Sequence, residues 1–174
     1  MSLLDQLIQQ TAACVVVVSG SLPAGLPVDA YAQIVELAHG RHARCIVDAD
    51  GETLRRALAA HPDVVKPNLD ELFAVTGVDD PLRGAEVLRR LGARDVVVSL
   101  GADGVLAVPA DGPAYRAGLG QRLAGNPTGA GDAAVAAVAA GIERAHGWPR
   151  MLGDAVAWSA AAVLNPVAGP GGSP

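Results

Sequence analysis

Cys14-Val15-Val16-Val17-Val18-Ser19 runs straight into Gly20-Ser21-Leu22-Pro23-Ala24-Gly25-Leu26-Pro27. The first six residues form an unbroken β-branched run, the pattern of a strand buried on both faces of a parallel sheet. The next eight hold too much Gly and Pro for regular structure, so the strand ends in a loop. Val28–His39 then has amphipathic helical spacing. The same order recurs downstream. Arg44–Asp48 reads as a second strand, Glu52–Ala60 as a helix, and Asp63–Lys66 as a short strand that Pro67 ends. Asn68 is placed to cap a helix over 69–76, and Glu71 at its third position comes close to a capping box. Pro81–Leu91 reads as a further helix and Asp95–Leu100 as another buried strand. Upstream, the spacing of Leu3, Leu4, Leu7 and Ile8 predicts a helix over 2–10. Strand, loop and helix in alternation predict an α/β fold, three layers deep (α/β/α), with a mostly parallel sheet.

After Ser99 the pattern changes. Gly104–Pro109 and Ala114–Gly118 read as strands joined by the polar turn Ala110-Asp111-Gly112, which makes this edge antiparallel. Two helices follow, over about 129–145 and 150–164. Residues 1–168 make one domain, and the Gly/Pro-rich stretch 169–174 reads as a disordered tail.

The totals agree with a packed core. Of 174 residues, 51% are hydrophobic and 18% charged, so the chain is expected to fold. Aromatics are only 3%, so the core must be built from Val, Leu, Ile and Ala. A net charge of −5 with no basic block argues against nucleic acid as a partner. Cys14 and Cys45 lie in apolar runs and read as buried thiols, and the spacing of Cys and His suggests no structural metal. The four histidines fall at helix ends and loops and read as solvated. No apolar run reaches the roughly 18 to 20 residues that span a bilayer, and Met1–Asp5 lacks a signal-type start. The expectation is a soluble, cytoplasmic protein.

In an open parallel sheet the working face lies at the carboxyl ends of the strands. Gly20–Pro27, Asp48–Gly51, Lys66–Glu71 and Ser99–Gly104 all begin there and are expected to converge on one crevice. Asn126-Pro127-Thr128-Gly129-Ala130-Gly131-Asp132 opens the helix that continues through Ala133–Ala140. Free amides at a helix start and the positive end of its dipole attract an anion, and glycine lets a phosphate approach. Asp132 would repel that phosphate, but it suits a group that takes a proton from an attacking hydroxyl. Taken alone, the stretch fits equally well an ordinary glycine turn with a helix-favouring Asp.

Four segments in order carry a family resemblance: Ser19-Gly20-Ser21-Leu22-Pro23, Lys66-Pro67-Asn68-Leu69-Asp70-Glu71, Ser99-Leu100-Gly101-Ala102-Asp103-Gly104, and Asn126 to Asp132. Together they resemble the PfkB-type, ribokinase-like carbohydrate kinases. The resemblance is nearest to the branch with 1-phosphofructokinase and tagatose-6-phosphate kinase, chiefly through the GSLP and KPN segments. It implies a ribokinase-like (Rossmann-like) fold, ATP and Mg²⁺ as cofactors, and a hexose or hexose phosphate as acceptor. It implies Asp132 as catalytic base, with Gly129, Ala130 and Gly131 as the anion hole. Asn68 and Glu71 would organise Mg²⁺ and its waters, which suits a metal that keeps several waters. Lys66 would belong to the nucleotide-side loop, its plain alternative being a solvated strand end. Ser99, Gly101 and Gly104 would form the turn over the ATP phosphates, unless they are only a strand-to-strand turn. Gly20 and Ser21 would face the sugar, or be loop residues. Ser159 to Ala162 would wall the adenine site, or merely pack; Trp148 and Trp158 read as packing residues. Asp48 and Asp50 fall outside this set.

The resemblance covers only the family's C-terminal portion. Residues 1–13 are all that precede the first strand, so the family's N-terminal sheet strands, β lid and sugar-gripping residues have no counterpart. A half-sheet leaves an apolar edge strand open. The chain is therefore expected to be a fragment, a truncated product or one part of a split protein, and a homodimer belongs to the full-length form if anywhere. The competing reading is a non-catalytic nucleotide-binding remnant. A dinucleotide-binding redox domain is disfavoured, since no GxGxxG follows the first strand.

Overall fold

The computed structural model describes residues 14–121 and 123–164. The helix expected over 2–10 and the tail over 169–174 lie outside these residues. Among them, six strands form one sheet in the order β1-β2-β3-β4-β5-β6. They are β1 Val15–Ser19, β2 Arg44–Asp48, β3 Val64–Val65, β4 Asp95–Ser99, β5 Val105–Val108 and β6 Tyr115–Ala117. The first four pair in parallel, and β4–β5 and β5–β6 are antiparallel. The helices are α1 Ala30–His39, α2 Gly51–Leu58, α3 Leu69–Thr76, α4 Pro81–Leu91, α5 Ala130–Glu143 and α6 Trp148–Leu164.

Strand side chains alternate between faces, so one sheet makes two cores. Cys45, Val47, Val65, Val96, Val98 and Leu106 pack with α1–α4 residues such as Val35, Leu54, Leu72 and Leu88. Ile46, Val64, Val97, Val105 and Ala107 pack on the other face with Ala134, Val138, Leu152 and Ala155 of α5 and α6. The expected three layers are thus present, with alanine and valine letting α5 lie close to the sheet.

Helix ends follow the expected chemistry. Asn68 caps α3: its Oδ1 accepts the Glu71 N–H at 2.9 Å, and Glu71 Oε2 accepts the Asn68 N–H at 2.9 Å. Asp80 accepts the Arg83 N–H at 2.8 Å, with Pro81 at the first helical position of α4.

Four expectations need correcting. β1 is not buried on both faces: it is the sheet edge, and Val17 is 40% exposed. Cys14, at its foot, is exposed as well; only Cys45 is buried, where burial and the Asp63 charge push its thiol up to about 12. The histidines are not simply solvated. His39 Nε2 lies 2.9 Å from Asp63 Oδ2, His61 Nδ1 lies 3.2 Å from Gly92 O, and His146 is largely covered. Of the tryptophans, Trp148 packs on the second core, but Trp158 is 42% exposed. No helix among the described residues is long and apolar enough to cross a membrane.

Asp95 opens β4 and its Oδ1 accepts the Ala110 N–H at 2.6 Å, holding the β5–β6 turn. Burial pushes its carboxyl up from the ordinary value, against the pull of that hydrogen bond and of Arg94. A raised native pKa means the folded chain holds the proton more tightly than the unfolded one. Stability is therefore lost as pH rises from the ordinary carboxylate range through the raised value. Asp95→Asn keeps an oxygen for Ala110 and removes the charge. Its melting temperature should exceed that of the parent at pH 7, with the difference shrinking toward pH 4. A difference that grows on acidification would contradict this account.

Candidate active site

Parallel strands deliver the ends of β1–β4 to one pole of the sheet, and the loops do converge there. A cavity of about 670 Å³ is lined by Asp48, Lys66, Asn68 and Glu71 on one side and by Ser99, Gly101 and Gly104 on another. Pro127, Ala130 and Gly131 close it at the start of α5, and Val156, Ser159 and Ala160 of α6 form the far wall. A second cavity, about 200 Å³, lies at the opposite pole near Asp63, Asp95 and His146 and holds none of the expected site residues.

The start of α5 has the geometry of an anion site. Gly129 is its N-cap at φ +83°, a left-handed conformation that a side chain would disfavour. No side chain caps this end. The Ala130 N–H turns to Pro127 O at 3.1 Å, which closes the turn. The next amides, those of Gly131 and Asp132, belong to the first helical turn, where the helix itself supplies no acceptor.

Lys66 is not a solvated strand end. It is 5% exposed, and its Nζ lies 3.2 Å from Asp48 Oδ1. A Cβ on Gly131 would stand 3.7 Å from that same Nζ, so the ammonium rests against the first turn of α5. A buried cation and a helix amino end therefore share one spot, and their positive potentials add. Burial pushes the Asp48 carboxyl up from its ordinary value, against the opposing pull of Lys66 and of the Ser19 hydrogen bond.

Asp132 is exposed on the first turn of α5, with Oδ1 3.3 Å from Ser19 Oγ. Ser19 Oγ also lies 3.4 Å from Asp48 Oδ2. Its single hydrogen serves one carboxylate at a time. Asp48 is also paired to Lys66, whereas Asp132 has no other side-chain partner among the described residues. From the sequence, Asp48 could touch the site but stays outside the site set, and Ser19 has no role of its own. The signal was there: each is the polar residue that closes an apolar run, and the two are in register, Ser19 opposite Asp48.

Asn68 and Glu71 face the same cavity, but they also hold each other. Asn68 Nδ2 donates to Glu71 Oε1 at 2.7 Å, beyond the two capping bonds. Burial pushes the Glu71 carboxyl up, against the backbone hydrogen bond from Asn68. Among the described residues, no group of three or more His, Cys, Asp or Glu could enclose a metal. The donor set nonetheless fits Mg²⁺ that keeps its own waters: each Glu71 oxygen retains a lone pair, and a partly dehydrated carboxylate favours a nearby dication. Ser99 joins this wall through its N–H to Pro67 O at 2.9 Å and its bridge pairing with Asn68.

Gly20 and Ser21 do not line the cavity. They are exposed at its rim next to Ser19, with the Gly20 N–H on Asp48 O at 3.0 Å and Gly20 O accepting Tyr31 Oη–H at 3.2 Å. On the opposite side α6 is tied to the site by Ser159, whose Oγ donates to Ala130 O at 2.9 Å. Gly125 lies so close to α6 that a Cβ there would stand 2.2 Å from Val163 O. Asn126 N–H then bonds that same carbonyl at 3.2 Å, fastening the 119–127 segment over the cavity.

The crevice brings a helix amino end and a buried lysine together, while Gly129 and Asp132, the latter bonded to Ser19, stand at that helix end without lining the cavity. The comparisons with known proteins agree on the family. The model of the pfkB family carbohydrate kinases matches residues 3–173, and the chain belongs to that family. It resembles the phosphofructokinase branch. It is 36% identical to the 1-phosphofructokinase of Bacillus subtilis (strain 168) over 135 residues, 75% of this chain and 44% of that protein. The structure of Escherichia coli phosphofructokinase-2 in complex with fructose-6-phosphate matches at a TM-score of 0.79 and 32% identity, covering 92% of this chain and 56% of that one. The tetrameric inhibited form of the same enzyme matches at 0.81. The chain thus spans about half the length of the relatives it matches.

Lys66→Met leaves Asp48 as a desolvated carboxylate without its partner. It should cost about 3 kcal/mol of stability, the scale for breaking a largely buried ion pair. Adding Asp48→Asn to Lys66→Met should recover most of that loss. Chemical denaturation of the two variants checks both; equal losses in single and double variant would show the pair to be unimportant.

Proposed function

We propose that this chain is the nucleotide-binding and phosphoryl-transfer part of an ATP-dependent kinase acting on a hexose or hexose phosphate. The observation that carries the reading is the placement of Asp132 and Lys66 at the same amino end of α5, Asp132 open to solvent and Lys66 buried. Residues with opposite charge and opposite exposure suit the two partners of a transfer. The γ-phosphoryl group sits against the Lys66 ammonium and the first-turn amides. The acceptor approaches from the open side, where Asp132 stands. Its hydroxyl oxygen bonds to the γ-phosphorus as the bond from that phosphorus to the β–γ bridging oxygen breaks. ADP departs, and the hydroxyl proton passes to Asp132. Donors set beforehand on the developing charge act without reorganising, which makes them effective. Ser19 holds one oxygen of Asp132, leaving the other for the acceptor.

Kinases of this family use ATP, typically with Mg²⁺. Bound near Asn68 and Glu71, Mg²⁺ would supply neutralisation of phosphate charge. The phosphofructokinase relatives point to a phosphorylated fructose as the acceptor, such as the fructose-6-phosphate bound by the E. coli enzyme. A second reading, a nucleotide-binding remnant without transfer, is favoured by one fact: about half of each relative's length has no match here. Binding and turnover separate the two readings. ATP binding with transfer to fructose phosphates supports the first; ATP binding without transfer, in this chain and in this chain supplemented with the unmatched half of a relative, supports the second.

Asp132→Asn keeps size and helix start but removes the proton acceptor. Turnover should fall by roughly 10² to 10⁴, the range of a positioned general base. ATP affinity should hold or improve slightly, since a negative charge beside the phosphates has gone. Turnover near that of the parent would refute the assignment, and loss of ATP binding would make Asp132 structural. Glu71→Gln preserves an oxygen for the Asn68 cap but halves the carboxylate. The Mg²⁺ concentration needed for half-maximal rate should rise sharply with the melting temperature little changed. An unchanged requirement would limit Glu71 to capping.

A further inference from the structure

We propose that this chain also hydrolyses ATP, passing the γ-phosphoryl group to water when no sugar is bound. This rests on the phosphoryl-transfer reading above and gives the same site a second acceptor. Behind it stands one observation: the phosphate end and the base are both held in place by residues of this chain, and the base is open to water.

At the phosphate end, Lys66 is 5% exposed and its Nζ is fixed by Asp48 Oδ1 at 3.2 Å. Ala130, the first residue of α5, is fastened on both sides. Its N–H bonds Pro127 O at 3.1 Å, and its carbonyl accepts the Ser159 hydroxyl at 2.9 Å. The base is fastened too, with Asp132 Oδ1 3.3 Å from Ser19 Oγ. Ser19 is anchored in turn through the backbone of its corner. Tyr31 of α1 is 7% exposed, and its hydroxyl lies 3.2 Å from Gly20 O and 3.4 Å from Ser19 O. The Gly20 N–H bonds Asp48 O at 3.0 Å, which ties the same corner to β2. Groups set in advance act without reorganising, whichever hydroxyl arrives.

Ser19, Gly20 and Asp132 are all exposed. Water thus reaches Asp132 without a sugar to bring it there. Ser19 engages one carboxylate oxygen, and the other accepts a hydrogen from that water. The water oxygen bonds to the γ-phosphorus as the bond from that phosphorus to the β–γ bridging oxygen breaks. The bridging oxygen leaves with ADP, and the water proton passes to Asp132. ATP and water are consumed; ADP and inorganic phosphate are formed.

Magnitudes make this activity slow but measurable. The transition state of phosphoryl transfer is loose, with little bonding to the nucleophile, so water and a sugar hydroxyl differ mainly in how well each is positioned. A water at an open rim is held less firmly than a bound sugar. Its turnover should lie at about 10⁻⁴ to 10⁻² s⁻¹, the range of GTPases that act on water without a partner's help.

The test is ATP hydrolysis by the full chain with Mg²⁺ and no sugar, in water enriched in oxygen-18, beside Asp132→Asn purified in the same way. The parent should release ADP and phosphate one for one, with the label in the phosphate. Asp132→Asn should release them about 10²-fold more slowly, while isothermal titration shows ATP bound by both and their thermal melts agree. Equal release by parent and variant would overturn the inference, and so would label found in ADP in place of phosphate. ATP bound with no phosphate released would overturn it as well. In that case transfer to fructose-6-phosphate leaves the kinase reading standing, and no transfer favours the nucleotide-binding remnant. A chain that binds no ATP removes the phosphoryl-transfer reading, and this inference with it.

Discussion

The buried ion pair of Lys66 and Asp48 is the constraint on which the site depends. An ammonium at 5% exposure is costly unless an anion meets it, so Lys66 needs Asp48 at 3.2 Å. Asp48 ends β2 and Lys66 directly follows the neighbouring β3, so the parallel register of the sheet fixes their distance. That pairing in turn decides the state of Ser19. Because Asp48 is already matched by Lys66, the Ser19 hydroxyl, within reach of both carboxylates, is able to serve Asp132. One cation thus orders three side chains drawn from β1, β2 and α5. The same ammonium lies against the first turn of α5, so an anion at that turn would meet both the ammonium and the helix amino end.

Strand direction explains why everything gathers at one pole. β1 to β4 run the same way, so their carboxyl ends and following loops emerge together. β5 returns antiparallel and β6 reverses again. After two reversals the chain leaves β6 at the same pole, and Gly125 and Asn126 lie against α6. The β5–β6 turn, by contrast, is at the opposite pole, where Asp95 holds Ala110 and Arg94 reaches Asp111 at 3.3 Å. The turns with His42, His61 and Ala145 in left-handed conformations lie at that pole too. Those residues maintain the fold and have no place in transfer chemistry.

Much of this was legible in the sequence because local rules and the global fold agree. The span of β2, Arg44–Asp48, is as expected, and so are those of α3 and α4, each bounded by an Asn or Asp cap and a Gly. The antiparallel edge followed from the short polar turn at 110–112. Lys66, Asn68, Glu71, Ser99, Gly101, Gly104, Ala130 and Gly131 were expected together and do share a cavity. What stayed hidden depends on neighbours. Four valines in β1 read as central, yet whether a strand is central depends on what pairs with its far side, and no local pattern encodes that. Ser19 and Asp48 gain their meaning only from each other across the β1–β2 register. The burial of Lys66 could not be read either, since a lysine after a strand is usually solvated and only Asp48 makes burial tolerable.

The two sheet edges show how differently a chain can end a sheet. β6 is three residues long, carries the exposed Arg116, and is covered on one face by α6. Short length and an inserted charge both discourage a further strand. β1 has five residues, VVVVS, with no charge, no proline and Val17 40% exposed. It lacks those protections, so its outer backbone edge, which no described residue pairs, and its valine side chains are suited to being covered. Ser19 closes this same strand and touches Asp132. Any polypeptide that added a strand alongside β1 would therefore also stand beside Asp132 at the mouth of the crevice. The free edge and Asp132 come together because the polar last residue of the edge strand is the one that bonds Asp132.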